Sequence, residues 1–398
     1  MNKKNHTLNV KMAIIVHSLM KFALFFKRNN TFFKVFLFVI MIVLNNIPLK
    51  ATENYIIGYY RSWHREYYLH NAIPYKNLTH IAHAFIWPHE DGSLEMNNNF
   101  LYPELVQTAH QNGTKIVVSI GGWGKDKGFS PMAADAGARK NFTANLVQFC
   151  KKHGYDGADL DWEYPHLKDK ENLCLLVKEL SLAFKENNLS CLAAALPAKD
   201  WNNGYDIAEL NRYFSWYGIM TYDFHGSWSD HVGHNAPFLS PPGDPCKALS
   251  VKDCADYWIN EKGMFRDKLC VGLPFYGRVF EASALHQKME KGGDAVSYAD
   301  AMKRLSRGWK YQWDSLAGVP FLVDDNQTRL LSFDDTRSIE NKCAFVREQN
   351  LKGVIIWALG HDDTGTSQPL LSVAAKELFS KGNSGLSYQN HSPVDKSK

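Results

Sequence analysis

A chain of 398 residues has room for one large domain or two to three average ones, and 45% hydrophobic with 22% charged residues is the composition of a packed globular protein. The formal net charge of +4 belongs to residues 1–52, which hold eight Lys and Arg and no Asp or Glu; the remainder carries 37 basic against 41 acidic residues, a net of −4. That sign removes the compositional case for a nucleic-acid partner.

The first element is a ten-residue apolar run, Val35 to Leu44, preceded by basic residues and followed by Pro48 and Ala51. Ten residues cover about half of a bilayer, which needs roughly 20, so residues 1–52 read as a secretory signal, with an uncleaved signal anchor as the alternative. A second apolar stretch, Met12 to Phe26, is broken by His17 and Lys21, and an internal Met such as Met20 is an alternative start. If the leader is cleaved, the product is expected to be secreted, monomeric and without stable membrane association.

From residue 53 onward, short β-rich runs alternate with helix-like stretches. The runs are Tyr55–Trp63, Leu78–Ile86, Lys115–Gly122, Gly157–Glu163, Ser190–Ala198, Trp216–Phe224, Leu269–Arg278 and Gly353–Gly360. Between them lie Leu101–Asn112, Ala136–His153, Lys168–Asn188, Val251–Lys262 and Ser338–Gln349. Eight β–α alternations over residues 53–380 predict an α/β fold, a (β/α)8 TIM barrel. The rival, a doubly wound open sheet, lacks a GxGxxG turn after its first strand. Between strands seven and eight, residues 279–331 exceed what one helix needs. They contain a helical stretch, Val296–Gly308, and strand-like Val319–Val323 and Leu330–Ser332, predicting a small α+β insertion. Residues 381–398 form a polar tail expected to be disordered.

Seven cysteines is an odd number, and no CxxC occurs, so a cysteine zinc site is not expected. Cys246 and Cys254 flank a short polar segment suited to a small loop disulfide. Asn-X-Ser/Thr sequons at Asn77, Asn112, Asn141, Asn188 and Asn326 matter only in a eukaryotic secretory pathway.

The fourth run carries the chemistry. Side chains alternate along a strand, so Asp159, Asp161 and Glu163 share one face while Ala158, Leu160 and Trp162 take the other. Three carboxylates stacked toward a barrel interior repel when ionised. Protons must be shared, and the group nearest the C-terminal mouth, Glu163, is expected to gain one. A carboxyl held protonated near neutral pH is what a glycosidic leaving group requires. The competing readings are a solvated acidic strand edge and a Mg2+ or Ca2+ site, but no carbonyl-loop or His ligand pattern accompanies the run. No metal or cofactor is expected.

DGADLDWEYP (156–165) resembles the DxxDxDxE signature of glycoside hydrolase family 18, the chitinases and their relatives. SIGGWG (119–124), MTYDFHG (220–226) and LPFYGR (273–278) resemble the family's motifs on strands three, six and seven. GYYRSW (58–63) and GVIIWALGHDD (353–363) match its first and last strands. The resemblance spans roughly residues 54–380 in the expected order and implies hydrolysis of chitin or N-acetylglucosamine oligosaccharides by a substrate-assisted retaining mechanism, with Glu163 as general acid and base. It also implies that Asp161 orients the substrate acetamido group, with Asp159 behind it and Ser119 as the hydrogen-bond partner of Asp159 beside the substrate-binding set. Tyr222 and Asp223 match positions that hold the acetamido group, and Trp357 the aromatic floor beneath the sugar. Trp123 and Trp228 match platforms on the leaving-group side, with Tyr164 and Met220 lining the same pocket. Arg278 is expected to hydrogen-bond substrate or to form a salt bridge at the barrel mouth, and Phe85 and Tyr60 to wall the subsites. His225 and Asp230 receive no role. Lectin-like members replace the terminal Glu; this sequence keeps it. An endo-β-N-acetylglucosaminidase acting on N-glycans, or a peptidoglycan hydrolase, keeps the same chemistry on another substrate. The insertion is shorter than that of deep-cleft members, which implies a lower groove wall and argues against strong processivity.

Overall fold

The computed structural model describes residues 54–245, 249–289 and 291–380. The expected leader, the polar tail and Cys246 lie outside the described residues. Cys254, its proposed disulfide partner, is a buried free thiol.

Eight parallel strands close a barrel: β1 (Tyr55–Arg61), β2 (His80–Pro88), β4 (Lys115–Gly121), β5 (Gly157–Asp161), β6 (Cys191–Leu196), β7 (Trp216–Ile219), β8 (Leu269–Pro274) and β14 (Gly353–Trp357). Closure comes from β1, which pairs on one side with β14 (Tyr55 beside Gly353) and on the other with β2 (Tyr59 beside Ala82). A short strand, β3 (Leu94–Met96), adds antiparallel to the end of β2. The (β/α)8 barrel is therefore present, with seven strands ending one to five residues before the runs that announced them and β2 ending two residues beyond its run. Glu163 lies two residues beyond the end of β5, on the loop that leaves the barrel.

Period-two alternation sorts the side chains. Ile57, Tyr59, Ala82, Ala84, Val117, Ala193 and Ile355 form the small interior cluster. The opposite faces of the same strands join the large shell between barrel and helices, to which Ala158, Leu160 and Trp162 belong. Trp162 stacks on Phe129 at 5.1 Å between centroids. The lower end of the barrel is filled by rings: His80 lies 4.6 Å from Tyr55 and 4.8 Å from Trp216.

The surrounding helices include α1 (Pro103–Gln111), α2 (Phe129–Ala134), α3 (Ala136–His153), α4 (Lys170–Glu186), α5 (Ile207–Leu210) and α6 (Val251–Asp256). Helix α3 shows why the sequence signals worked. Phe142, Leu146, Phe149 and Cys150 recur at helical spacing and are buried, and the Asp135 side chain caps the first turn by accepting from the Ala138 N–H.

The seventh run proves to be two elements. β8 ends at Pro274, and β9 (Tyr276–Phe280) belongs to the insertion, so Arg278 stands on the insertion's first strand and not on the barrel. β9 is joined by β10 (Gly292–Ser297), β11 (Lys310–Asp314), β12 (Val319–Val323) and β13 (Leu330–Ser332) in an antiparallel sheet of order β10-β9-β13-β12-β11, with α7 (Tyr298–Ser306) between β10 and β11. The apolar run gives no sign of the break because both pieces are β-rich and largely buried. Helices α8 (Thr336–Glu348) and α9 (Pro369–Ala375) complete the described chain, in which no helix is long and apolar enough to cross a membrane.

Candidate active site

The C-terminal ends of the barrel strands surround a cleft of about 760 Å3. Its position follows from the fold, since the strands point their last side chains and their following loops to this one end. Asp161, Glu163, Tyr164, Met220, Tyr222, Asp223, Arg278, Phe85, Trp123, Trp228 and Trp357 all line it. Motifs scattered over 270 residues of sequence thus converge on one cavity.

The carboxylates rise along β5 in a ladder. Asp159 lies at the bottom, 1% exposed, and its Oδ2 accepts from Ser119 Oγ at 2.7 Å and from the Tyr59 hydroxyl at 2.8 Å. These two bonds fix its orientation but do not overcome burial, which raises its pKa to about 6. Asp161 is 4% exposed and is raised well above the carboxylate range, first by burial and then by the charges of Glu163 and Asp159. Glu163 reaches about 7. Burial is the largest cause; a hydrogen bond from Tyr164 opposes it, and the nearby carboxylates of Asp126 and Asp223 reinforce it. The expected upward shift at the mouth is there, but desolvation rather than mutual repulsion is its main origin, and the lower two carboxyls share in it. Oδ1 of Asp159 and Oδ1 of Asp161 are both buried with no hydrogen-bond partner. An ionised pair in that position would be costly, whereas a shared proton removes the repulsion.

Gly121 and Gly122 of SIGGWG explain how β4 comes so near to this ladder. Gly121 (φ +109°) faces Asp161 so closely that a Cβ would sit 2.2 Å from the Asp161 carbonyl oxygen, and at Gly122 (φ +84°) it would lie 2.6 Å from the Phe85 ring. The Gly122 N–H then donates to that same Asp161 carbonyl at 2.8 Å. Only a residue without a side chain satisfies both the φ and the contact.

Tyr222 lines the cleft as well. Burial, followed by the charges of Asp161 and Asp223, raises its hydroxyl pKa well above the ordinary value, so it remains a hydrogen-bond donor. Asp223 is committed: its Oδ1 accepts from Tyr276 at 2.6 Å and from Arg278 Nη2 at 2.6 Å and Nε at 3.1 Å. Arg278 therefore realises the salt-bridge alternative, and its guanidinium also lies 4.8 Å from the centre of the Trp228 ring. It stiffens the cleft wall on both sides.

The aromatic surface has two parts. Trp63, Phe85 and Trp357 pack side by side, Phe85 being 5.9 Å from Trp63 and 5.8 Å from Trp357, and form a floor. Trp123 (80% exposed), Trp228 (60%) and Trp201 (62%) stand along the rim. Exposure of this extent leaves flat apolar faces open along the rim.

Two expectations are corrected. Tyr60 is 1% exposed and points away from the cleft; its hydroxyl donates to the Tyr68 carbonyl at 2.7 Å and its ring packs beside His83. The residue on the cavity side is Tyr59, and the alternation that sorted β5, applied to β1, picks it out. Ser119 is fully buried behind Asp159 and does not line the cleft. Trp63, Trp87, Trp201, Asn97 and Lys125 line it without having been singled out. Trp63 ends the quoted GYYRSW and was within reach; Trp201 lies on the loop after β6, where no periodicity marks a direction.

The comparisons with known proteins agree with this geometry. The family model "Glycosyl hydrolases family 18" matches residues 55–362. "Probable chitinase 2" of Drosophila melanogaster is 35% identical over 277 residues, which is 63% of this chain and 56% of that protein. "Probable endochitinase" of Caenorhabditis elegans is 33% identical over 345 residues, 75% of this chain and 55% of that protein, so the chain spans little more than half the length of these relatives. Among solved structures, a mutant of catalytic domain 2 of the group II chitinase of Ostrinia furnacalis, in complex with (NAG)5, superposes with a TM-score of 0.77 at 28% identity, covering 83% of this chain and 97% of that one. The signature on β5, the closed barrel and the family match lead to the same assignment: this chain belongs to glycosyl hydrolase family 18.

Proposed function

We propose that this chain is an active chitinase, cleaving β-1,4 bonds between N-acetylglucosamine units by a retaining, substrate-assisted reaction. The observation that carries the proposal is the Glu163 carboxyl, held at about 7 at the edge of an aromatic cleft. A group with that affinity is protonated when substrate arrives and still acidic enough to release its proton.

In the proposed reaction the sugar rests on the floor made by Trp357 and its neighbours. Glu163 donates its proton to the glycosidic oxygen as the C1–O bond breaks, and the carbonyl oxygen of the sugar's own acetamido group closes onto C1 to form an oxazolinium ion. Asp161 accepts the acetamido N–H and stabilises the positive charge, while the Tyr222 hydroxyl donates to the acetamido oxygen. Glu163, now ionised, takes a proton from the incoming water, whose oxygen attacks C1 and reopens the ring. Asp159 accepts the redistribution of charge below Asp161, which is supported by its two fixed donors, Ser119 and Tyr59. Support for the substrate comes from the relative solved with (NAG)5 and from the rim tryptophans, which suit several successive sugar rings. The basic leader supports action outside the cell.

The test is hydrolysis of N-acetylglucosamine oligomers by the parent chain and by Glu163→Gln. The substitution keeps the shape of the side chain and is expected to lower kcat by about 10²–10⁴-fold while oligomer binding persists. Binding by the parent without turnover would leave a lectin. Release of glycans from a glycoprotein with no action on chitin oligomers would replace the substrate and keep the chemistry.

A further inference from the structure

The loop leaving β7 delivers Asp223 and Trp228 to the cleft, and the same loop contains a second constellation that the proposed hydrolysis does not use. His225, His231 and Asp244 are buried, and one ligand-type atom from each lies within 4.8 Å of the others. The Nε2 atoms of His225 and His231 are 3.0 Å apart. Asp244 faces both, with Oδ1 3.2 Å from His231 Nε2 and Oδ2 3.3 Å from His225 Nε2.

The outer side of each ring decides what those inner atoms are. His225 Nδ1 lies 3.0 Å from the carbonyl oxygen of His234, which can only accept, so Nδ1 carries a hydrogen. His231 Nδ1 lies 2.6 Å from the Asp230 carboxylate and likewise donates. In neutral rings both Nε2 atoms therefore present lone pairs, aimed at each other and at a carboxylate. Three ligand-type atoms meeting at 3.0–3.3 Å are placed to share one cation. Around a tetrahedral ion with bonds of about 2.0–2.2 Å, donor atoms stand about 3.3–3.5 Å apart, so the triangle needs to open by only a few tenths of an ångström. Imidazole rings held by a backbone carbonyl and a carboxylate are the usual second layer of such a centre. A further imidazole is at hand: His286 Nδ1 lies 3.8 Å from Asp244 Oδ2.

We propose that His225, His231 and Asp244 bind one zinc-type divalent cation, with His286 or solvent completing the coordination. Two imidazoles and one carboxylate suit zinc and cobalt rather than magnesium or calcium, which take all-oxygen sets. The ion's position gives it a bracing role. The loop already docks on the insertion through Val232 N to Gln287 O at 2.8 Å and His286 N to Val232 O at 2.8 Å. A cation there ties residues 225, 231 and 244 into one unit beneath the Trp228 side of the cleft.

The test uses the full chain, stripped with chelator and then given Zn2+ or Co2+ alone. The expected result is one equivalent of metal retained after dialysis, a higher Tm with Zn2+, and with Co2+ the intense visible absorption of a tetrahedral centre. His231→Ala and Asp244→Asn are expected to lose that equivalent, and Glu163→Gln to keep it. The stripped parent serves as its own reference if a variant fails to fold. Absence of retained metal and of a Tm change in the parent would overturn the proposal, as would an equivalent that survives in folded His231→Ala and Asp244→Asn, or one that disappears in Glu163→Gln.

Discussion

The two ends of the barrel interior bury titratable groups by the same means and move protons in opposite directions. At the lower end His80 sits between Tyr55 and Trp216, and burial, with Lys115 and Lys352 adding to it, lowers its pKa to about 3, so the ring is neutral. At the upper end Asp159 is raised to about 6 and Glu163 to about 7, so both keep their protons to higher pH than free carboxyls do. Desolvation disfavours whichever form is charged; for a base that means losing a proton and for an acid gaining one. The lower end thereby becomes inert packing. The upper end opens onto a cleft lined by Asp161 and Glu163.

Removing one large ring at each end gives the strongest contrast. Trp216→Ala, in the closed end, is expected to cost about 3–5 kcal/mol of stability through the cavity it leaves, seen as a large fall in Tm, with kcat/KM of the folded fraction unchanged. Trp357→Ala, in the open end, is expected to spare most of the stability and to raise KM for chitin oligomers about tenfold through lost stacking. Equal stability losses with no change in KM would erase the distinction between packing end and binding end.

Stability against pH sharpens the same comparison. The folded-state values of Asp159 and Glu163 lie above their unfolded values near 4, so their contribution is complete below about pH 4 and is lost as pH rises through about 6 and 7. His80 is depressed from 6.5 to about 3, so its contribution is complete above pH 6.5 and is lost as pH falls toward 3. Urea midpoints of the parent, Asp159→Asn and His80→Gln between pH 3 and 8 test this. The parent's advantage over Asp159→Asn should shrink as pH rises, and its advantage over His80→Gln should grow. Slopes of the same sign would show that burial does not control both groups.

A smaller effect belongs to the mouth. The basic limb of kcat/KM is expected near pH 7, where Glu163 loses its proton. Asp126 lies on the exposed loop after β4 and helps to hold that proton. Asp126→Asn should move the limb to lower pH by a fraction of a unit and leave the rate at pH 5 unchanged. A shift to higher pH would contradict the electrostatic origin of Glu163's affinity.

Much of this is legible in the sequence. Alternating apolar runs announced the barrel, and the spacing of Asp159, Asp161 and Glu163 put three carboxyls on one face, because a strand's two-residue period is local and needs no partner to be read. The same period, left unused on the first strand, would have chosen Tyr59 over Tyr60. Other features carried no local signal. The division of Leu269–Arg278 into a barrel strand and an insertion strand depends on which neighbours each half pairs with.

His225, His231 and Asp244 span 20 residues of one loop with no regular spacing, and only folding turns their nitrogen and oxygen atoms toward a common centre. The amino-acid order by itself determined the barrel, its family and the run of three carboxyls along and just beyond β5, since these rest on periodicity and on contiguous motifs. The tertiary structure alone decided how strongly each carboxyl holds its proton, which aromatic rings face the cleft, and that Arg278 is spoken for by Asp223. Those properties depend on desolvation and on contacts between residues far apart in the chain.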